Sequence, residues 1–134
     1  MAQLARTLLP WLLGAFFIVG SLANALASVE TRAGYVAWGY PSWFHYVTAA
    51  LEMAAALLLF GKRTRLIGAG LGAAIMGAAV ATLILHGDYL HALVPVPVLA
   101  LAALVARAAF RQGRPRSPLT GAPPESANGS DIDR

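Results

Sequence analysis

Cysteine is absent from the 134-residue chain, and charged residues make up only 12% of it. Without thiols there is no disulfide framework, no thiol–disulfide relay and no cysteinyl zinc or iron–sulfur site within this chain. So little charge also leaves too few polar side chains to clothe a water-soluble domain of this length. Nucleophile elbows, phosphate-binding glycine loops and acidic metal motifs are missing as well, so soluble-type enzymology has no foothold.

What fills the chain instead is apolar: 58% of its residues are hydrophobic and its mean hydropathy is +0.64. Four apolar segments run roughly over residues 8–28, 43–60, 65–86 and 92–111. Each has about 18 to 22 residues, enough to cross a hydrocarbon core of about 30 Å. The expected fold is therefore an all-α membrane four-helix bundle over residues 1–112. Pro10, Pro95 and Pro97 fall near segment starts, where a missing backbone donor costs least. From Gly113 the sequence turns rich in Pro, Ser and Gly, and residues 113–134 read as a disordered tail.

The pI near 10.1 raises nucleic acid as a partner, but the basic residues sit at the ends of apolar segments. Arg6, Lys62, Arg63, Arg65, Arg107, Arg111, Arg114 and Arg116 fall on one side of the expected topology, against Arg32 on the other. The positive-inside rule then puts both termini in the cytoplasm, a parity that four crossings satisfy. The bilayer is the expected partner and a bacterial inner membrane the expected location. Arg6, the apolar run and Ala25-Leu26-Ala27 also have the outline of a cleavable signal peptide. The length of the run and Asn24 within it favour an uncleaved span.

Helices in lipid gain nothing from apolar contact alone, so they need close packing or polar contacts to associate. Small residues spaced by four, in the pairs Gly68 and Gly72, Ala69 and Ala73, Ala73 and Gly77, and Gly77 and Ala81, place the third span at the bundle centre. Intrachain packing is favoured over homo-oligomerisation. No pair of spans repeats another, so an inverted-repeat transport architecture has no support.

One carboxylate lies deep in the apolar sequence. Glu52 is nine residues into the second span from Trp43, about 13 Å along the helix. A charge at that depth costs several kcal/mol unless it is paired or protonated, so such groups face a bundle interior or a wet cavity. Thr48 and His45, at i−4 and i−7, extend a polar stripe from it toward the outer leaflet. Ser21 and Asn24 lie in the outer half of the first span, Thr82 and His86 in that of the third, and His91 begins the fourth. These residues define a candidate cavity open outward, floored by Glu52, that would take a quinone headgroup, a proton or a small polar ligand. The alternative is a protonated acid that bonds Asn24 or a backbone carbonyl and fixes helix register. His86 and His91 flank the turn "GDYL", where solvated loop histidines are the ordinary case, and their spacing matches no metal motif. Tyr35, Trp38, Tyr40, Trp43, Phe44 and Tyr46 read as an interfacial aromatic belt.

Gly39-x-Pro41 in the first outer loop, followed eleven residues later by Glu52, with an apolar first helix before it, resembles the DoxX-like family of small four-helix membrane proteins. The likeness covers residues 8–110. It implies a four-helix bundle in which Gly39 and Pro41 are structural and Glu52 is a family-pattern residue. Relatives include a subunit of a thiosulfate:quinone oxidoreductase and proteins tied to oxidative-stress complexes. The implied role is a non-catalytic subunit, or quinone- or lipid-binding partner, of a membrane redox complex. A small proton-coupled transporter built on Glu52 and a purely structural assembly subunit are the competing expectations.

Overall fold

The computed structural model describes residues 2–113, with side chains from Thr7 onward. The expected tail, with Arg114 and Arg116, lies outside the described residues, as does the side chain of Arg6. Among the described residues every regular element is helical. They are α1 (Ala2–Ala25), α2 (Val29–Ala37), α3 (Phe44–Phe60), α4 (Arg65–Leu85), α5 (Tyr89–Ala92) and α6 (Pro95–Gln112). Thr7–Ala25, Arg65–Leu85 and Tyr89–Gln112 are long and apolar enough to cross a membrane. α3 is apolar but shorter, at 17 residues. At 1.5 Å per residue it rises about 26 Å, the short end of the spanning range.

Helix ends depart from the sequence expectation in three places. α1 begins at Ala2, so Pro10 lies in its third turn rather than its first. Ala, Gln and Leu ahead of it are good helix formers and carry the helix further back. α1 also stops at Ala25, short of residue 28, because Ser28 takes extended backbone angles and caps a new helix. Its hydroxyl accepts the Thr31 N–H at 3.1 Å, with Glu30 in the first turn. That helix, α2, was not anticipated. The fourth apolar segment, expected from 92, is helical from Pro95 as α6, with the short α5 just ahead of it. Pro95 opens α6 at a first-turn position where it loses no bond.

The bundle is sequential: α1 packs chiefly on α3, α3 on α4 and α4 on α6, and α6 closes back on α1. Its core joins Leu13 and Phe17 of α1, Ala55, Ala56 and Leu59 of α3, Ala69 and Met76 of α4, and Ala102 and Val105 of α6. Two α4 glycines permit this. A Cβ at Gly68 would come within 2.7 Å of the Leu59 backbone nitrogen and 2.9 Å of the Ala55 carbonyl. One at Gly72 would come within 2.5 Å of the Phe17 ring. Gly77 differs from the small-residue expectation, since a Cβ there would meet nothing within 4 Å. It lies five residues past Gly72, about 140° around a helix of 3.6 residues per turn, and so turns away from the packed face.

Outside this core the surface is unusually greasy. Leu12, Val19, Leu22, Leu57, Ile67, Leu85, Leu104 and Phe110 are all exposed. Water would not tolerate so continuous an apolar sheath, whereas lipid tails match it. Bilayer contact follows directly from that surface.

Candidate functional site

Only three polar or charged residues are buried among those described: Ser21 at 4% exposure, His45 at 3% and Glu52 at 4%. All three belong to one cluster between α1 and α3. Ser21 Oγ donates to the Ala49 carbonyl at 2.7 Å, fastening the two helices one turn above the carboxylate. Gly20 makes room for the acid: a Cβ there would come within 2.9 Å of Glu52 Oε1.

Asn24 is the hub. Its Nδ2 donates to Glu52 Oε2 at 3.0 Å and to the Gly20 carbonyl at 3.2 Å. Its Oδ1 accepts the Tyr35 hydroxyl at 2.8 Å, and its backbone carbonyl accepts His45 Nδ1–H at 2.9 Å. Both amide hydrogens and the side-chain oxygen are therefore engaged, an arrangement that also fixes which end of the amide faces which partner. No buried side-chain nitrogen or oxygen among the described residues lacks a hydrogen-bond partner.

Tyr35 enters from α2, and the way that helix ends explains how. Gly39 adopts φ +83°, a left-handed conformation open to glycine. Its N–H bonds the Val36 carbonyl, and the Tyr40 N–H bonds the Tyr35 carbonyl at 2.9 Å, the paired bonds of a Schellman end. Pro41 follows, and its carbonyl accepts the Phe44 N–H at the start of α3. The Gly-x-Pro signature thus reverses the chain so that the last turn of α2 lies over α3. The Tyr35 ring is flanked by Trp38, Tyr40, Phe44 and His45, with centroids 5.8 to 6.5 Å away. Burial pushes its phenol above the ordinary tyrosine range, a rise the neighbouring Thr48 hydroxyl opposes, so the group remains a donor to Asn24.

The sequence-predicted residues divide. Glu52, Asn24, Ser21 and His45 form the buried cluster. Thr48 is half-buried beside Tyr35, its hydroxyl also reaching the Phe44 carbonyl of its own helix at 3.4 Å. Thr82 shares a 2.7 Å hydrogen bond with the Tyr40 hydroxyl, one ring further out. His86 and His91 stand apart and exposed. His86 Nδ1–H donates to the Thr82 carbonyl at 2.8 Å, and His91 Nδ1 meets Asp88 Oδ1 at 2.7 Å. That contact holds the Asp88 carboxyl below its usual range. Tyr35 and Tyr40, assigned to an aromatic belt by sequence, turn out to be hydrogen-bonding members of the site. Their signal was the Ser28 cap with Glu30 behind it, which marks a helix in the connection between the first two apolar segments.

Chemically, this arrangement fastens helices. Ser21 Oγ, both ends of the Asn24 amide, Glu52 Oε2 and His45 Nδ1 each meet a protein partner, and the amide at the centre cannot relay a proton as a hydroxyl or imidazole does. A protein-family model described as the DoxX-like family matches residues 8–105. No curated protein and no solved structure matches the chain.

Proposed function

Because the chain belongs to the DoxX-like family and is a multi-pass membrane protein, we propose that it is a non-catalytic, four-span subunit of a membrane assembly. In this reading the Asn24–Glu52 cluster locks the helices together rather than carrying a reaction. The partner class is the membrane redox complex that the family resemblance implies. Both termini lie on the cytoplasmic side of a bacterial inner membrane. Support for that orientation comes from the described cations: Lys62, Arg63, Arg65, Arg107 and Arg111 share one end of the bundle, whereas Glu30, Arg32 and Asp88 lie at the other.

The observation that carries the proposal is the saturation of Asn24 against a carboxyl only 4% exposed. A polar group with every bond satisfied inside the fold specifies packing, as buried polar residues do when they fix register. Proton-coupled transport is disfavoured by the same hub, since the path from Tyr35 to Glu52 runs through an amide.

A second reading, quinone or lipid binding at the cluster, draws on α2. That helix has no buried residue and touches the bundle chiefly through α3, so its displacement would bare Asn24 and Glu52 to a ligand headgroup. Glu52→Gln, which keeps shape and acceptor but cannot titrate, separates these possibilities. A structural lock keeps its membrane level and its copurifying proteins in mild detergent. Loss of a bound quinone or lipid from an otherwise well-accumulated variant, seen by mass spectrometry, would replace the proposal with the second reading.

A further inference from the structure

The basic end of the bundle holds a feature that the polar cluster does not explain. Leu9 and Pro10 of α1, Leu104 and Ala108 of α6, and Arg65 and Gln112 at the helix ends line a shallow, open cleft that encloses about 30 Å³. From Leu104 to Gln112 the α6 wall runs eight residues, about 12 Å along the helix. Its deeper lining is apolar, and its polar members are Arg65 and Gln112. Arg65 begins one membrane-length helix and Gln112 ends another, so the mouth lies where spans meet headgroups.

Arg65 is held there by geometry. Its Nε–H donates to the Leu59 carbonyl at 3.2 Å, which seats the guanidinium at the C-terminal end of α3. A guanidinium carries five N–H donors in a rigid fork suited to phosphate. Among the described residues no acceptor takes the other four. Lys62, Arg63 and Arg111 stand at the same end, and no acidic side chain among the described residues does.

We propose that this cleft is a binding site for one anionic phospholipid, with an acyl chain along Leu104 and Ala108 and the phosphate on the Arg65 guanidinium. Charge complementarity selects an anionic lipid over a zwitterionic one. The match in depth, polar at the headgroup level and apolar for about 8 Å below it, from Ala109 to Leu104, selects a lipid over a free phosphate.

The test reconstitutes the full chain in nanodiscs of equal phosphatidylglycerol and phosphatidylcholine, extracts it gently and reads retained lipid by native mass spectrometry. Wild type is expected to keep one phosphatidylglycerol in preference to phosphatidylcholine, and Arg65→Gln to lower that preference about fivefold. The double variant Lys62→Gln/Arg63→Gln is expected to change it less. Equal retention of the two lipids by wild type overturns the site, as does an unchanged preference in Arg65→Gln. A preference that follows Lys62 and Arg63 instead reduces it to general surface charge. Should Arg65→Gln fail to accumulate, Ala108→Phe fills the cleft while leaving the arginine. Lost phosphatidylglycerol there supports the site, and undiminished retention refutes it.

Discussion

Toward the basic end, α4 lies so close to α3 that a Cβ at Gly68 would strike the Leu59 nitrogen at 2.7 Å, and the neighbouring core is Leu13, Phe17, Ala55 and Leu59. Toward the other end the same bundle is joined through Asn24 and Glu52 at 3.0 Å, Ser21 and Ala49 at 2.7 Å, and Tyr35 and Asn24 at 2.8 Å. Lipid tails are as apolar as leucine, so burial alone does not bring membrane helices together. This chain uses both available substitutes and separates them lengthwise. Close backbone approach leaves no latitude in shape. Hydrogen bonds leave latitude in shape but none in pairing.

Breaking the packed half is expected to have the largest effect. Gly68→Leu would force α3 and α4 apart at backbone atoms, which cannot rotate aside as a side chain can. We expect a loss of about 3 kcal/mol or more, read as a sharp fall in unfolding midpoint in mild detergent. A midpoint within error of wild type would mean that the α3–α4 approach is not what holds that half.

Asn24→Leu comes next. It removes three side-chain hydrogen bonds, among them those that Asn24 makes with Glu52 and Tyr35. Interhelical hydrogen bonds in membranes average only about 0.6 kcal/mol each, but stranded buried polar atoms cost more. A loss of about 2 kcal/mol is expected. Adding Glu52→Leu should recover part of it, because a double-mutant cycle removes the orphaned acid as well. Additive losses in the cycle would show that the two side chains act independently.

The two halves were unequally legible in the sequence. The depth of Glu52 and its stripe through Thr48 and His45 followed from counting along one helix, and Asn24 and Ser21 from polarity in an apolar run. Tyr35 did not emerge, because aromatic residues at a membrane interface need no further reason to be there. Its role depends on α2, a helix of only 9 residues whose cap was legible but whose position over α3 was set by a turn at Gly39. His86 and His91 lie toward the same end of the bundle as the cluster yet bond locally, at i−4 and i−3, where partners are always within reach. Composition can assign a residue to a level of the membrane. It does not choose the face of the helix, as the contrast between Gly68 and Gly77 shows.

A smaller effect concerns α2. Tyr35→Phe deletes one hydrogen bond, so a loss of about 0.5 to 1 kcal/mol is expected near neutral pH. Its pH profile is the sharper readout. The folded-state phenol lies above its ordinary value of 10.0, chiefly through burial, so the folded form holds that proton more tightly than the unfolded one. The associated stability is present below about pH 10 and is lost as pH rises through the raised value. Unfolding midpoints between pH 8 and 11 should therefore fall more steeply in wild type than in Tyr35→Phe. Parallel profiles would remove Tyr35 from the lock.

The smallest effect is expected nine residues along α4 from the largest. Gly77→Leu makes the same chemical change as Gly68→Leu on the same helix, but a Cβ at Gly77 meets open space. Nothing needs to move, and leucine is the better helix former by under about 1 kcal/mol. The unfolding midpoint should stay level or rise slightly, while Gly68→Leu falls. Because helix, residue type and added volume are all held constant, the difference isolates packing from propensity. A large loss at Gly77 would have a specific meaning: that face of α4 is covered in the membrane by something outside this chain. Cross-linking from Ala74→Cys on the same outward face would then show whether the cover is a second copy.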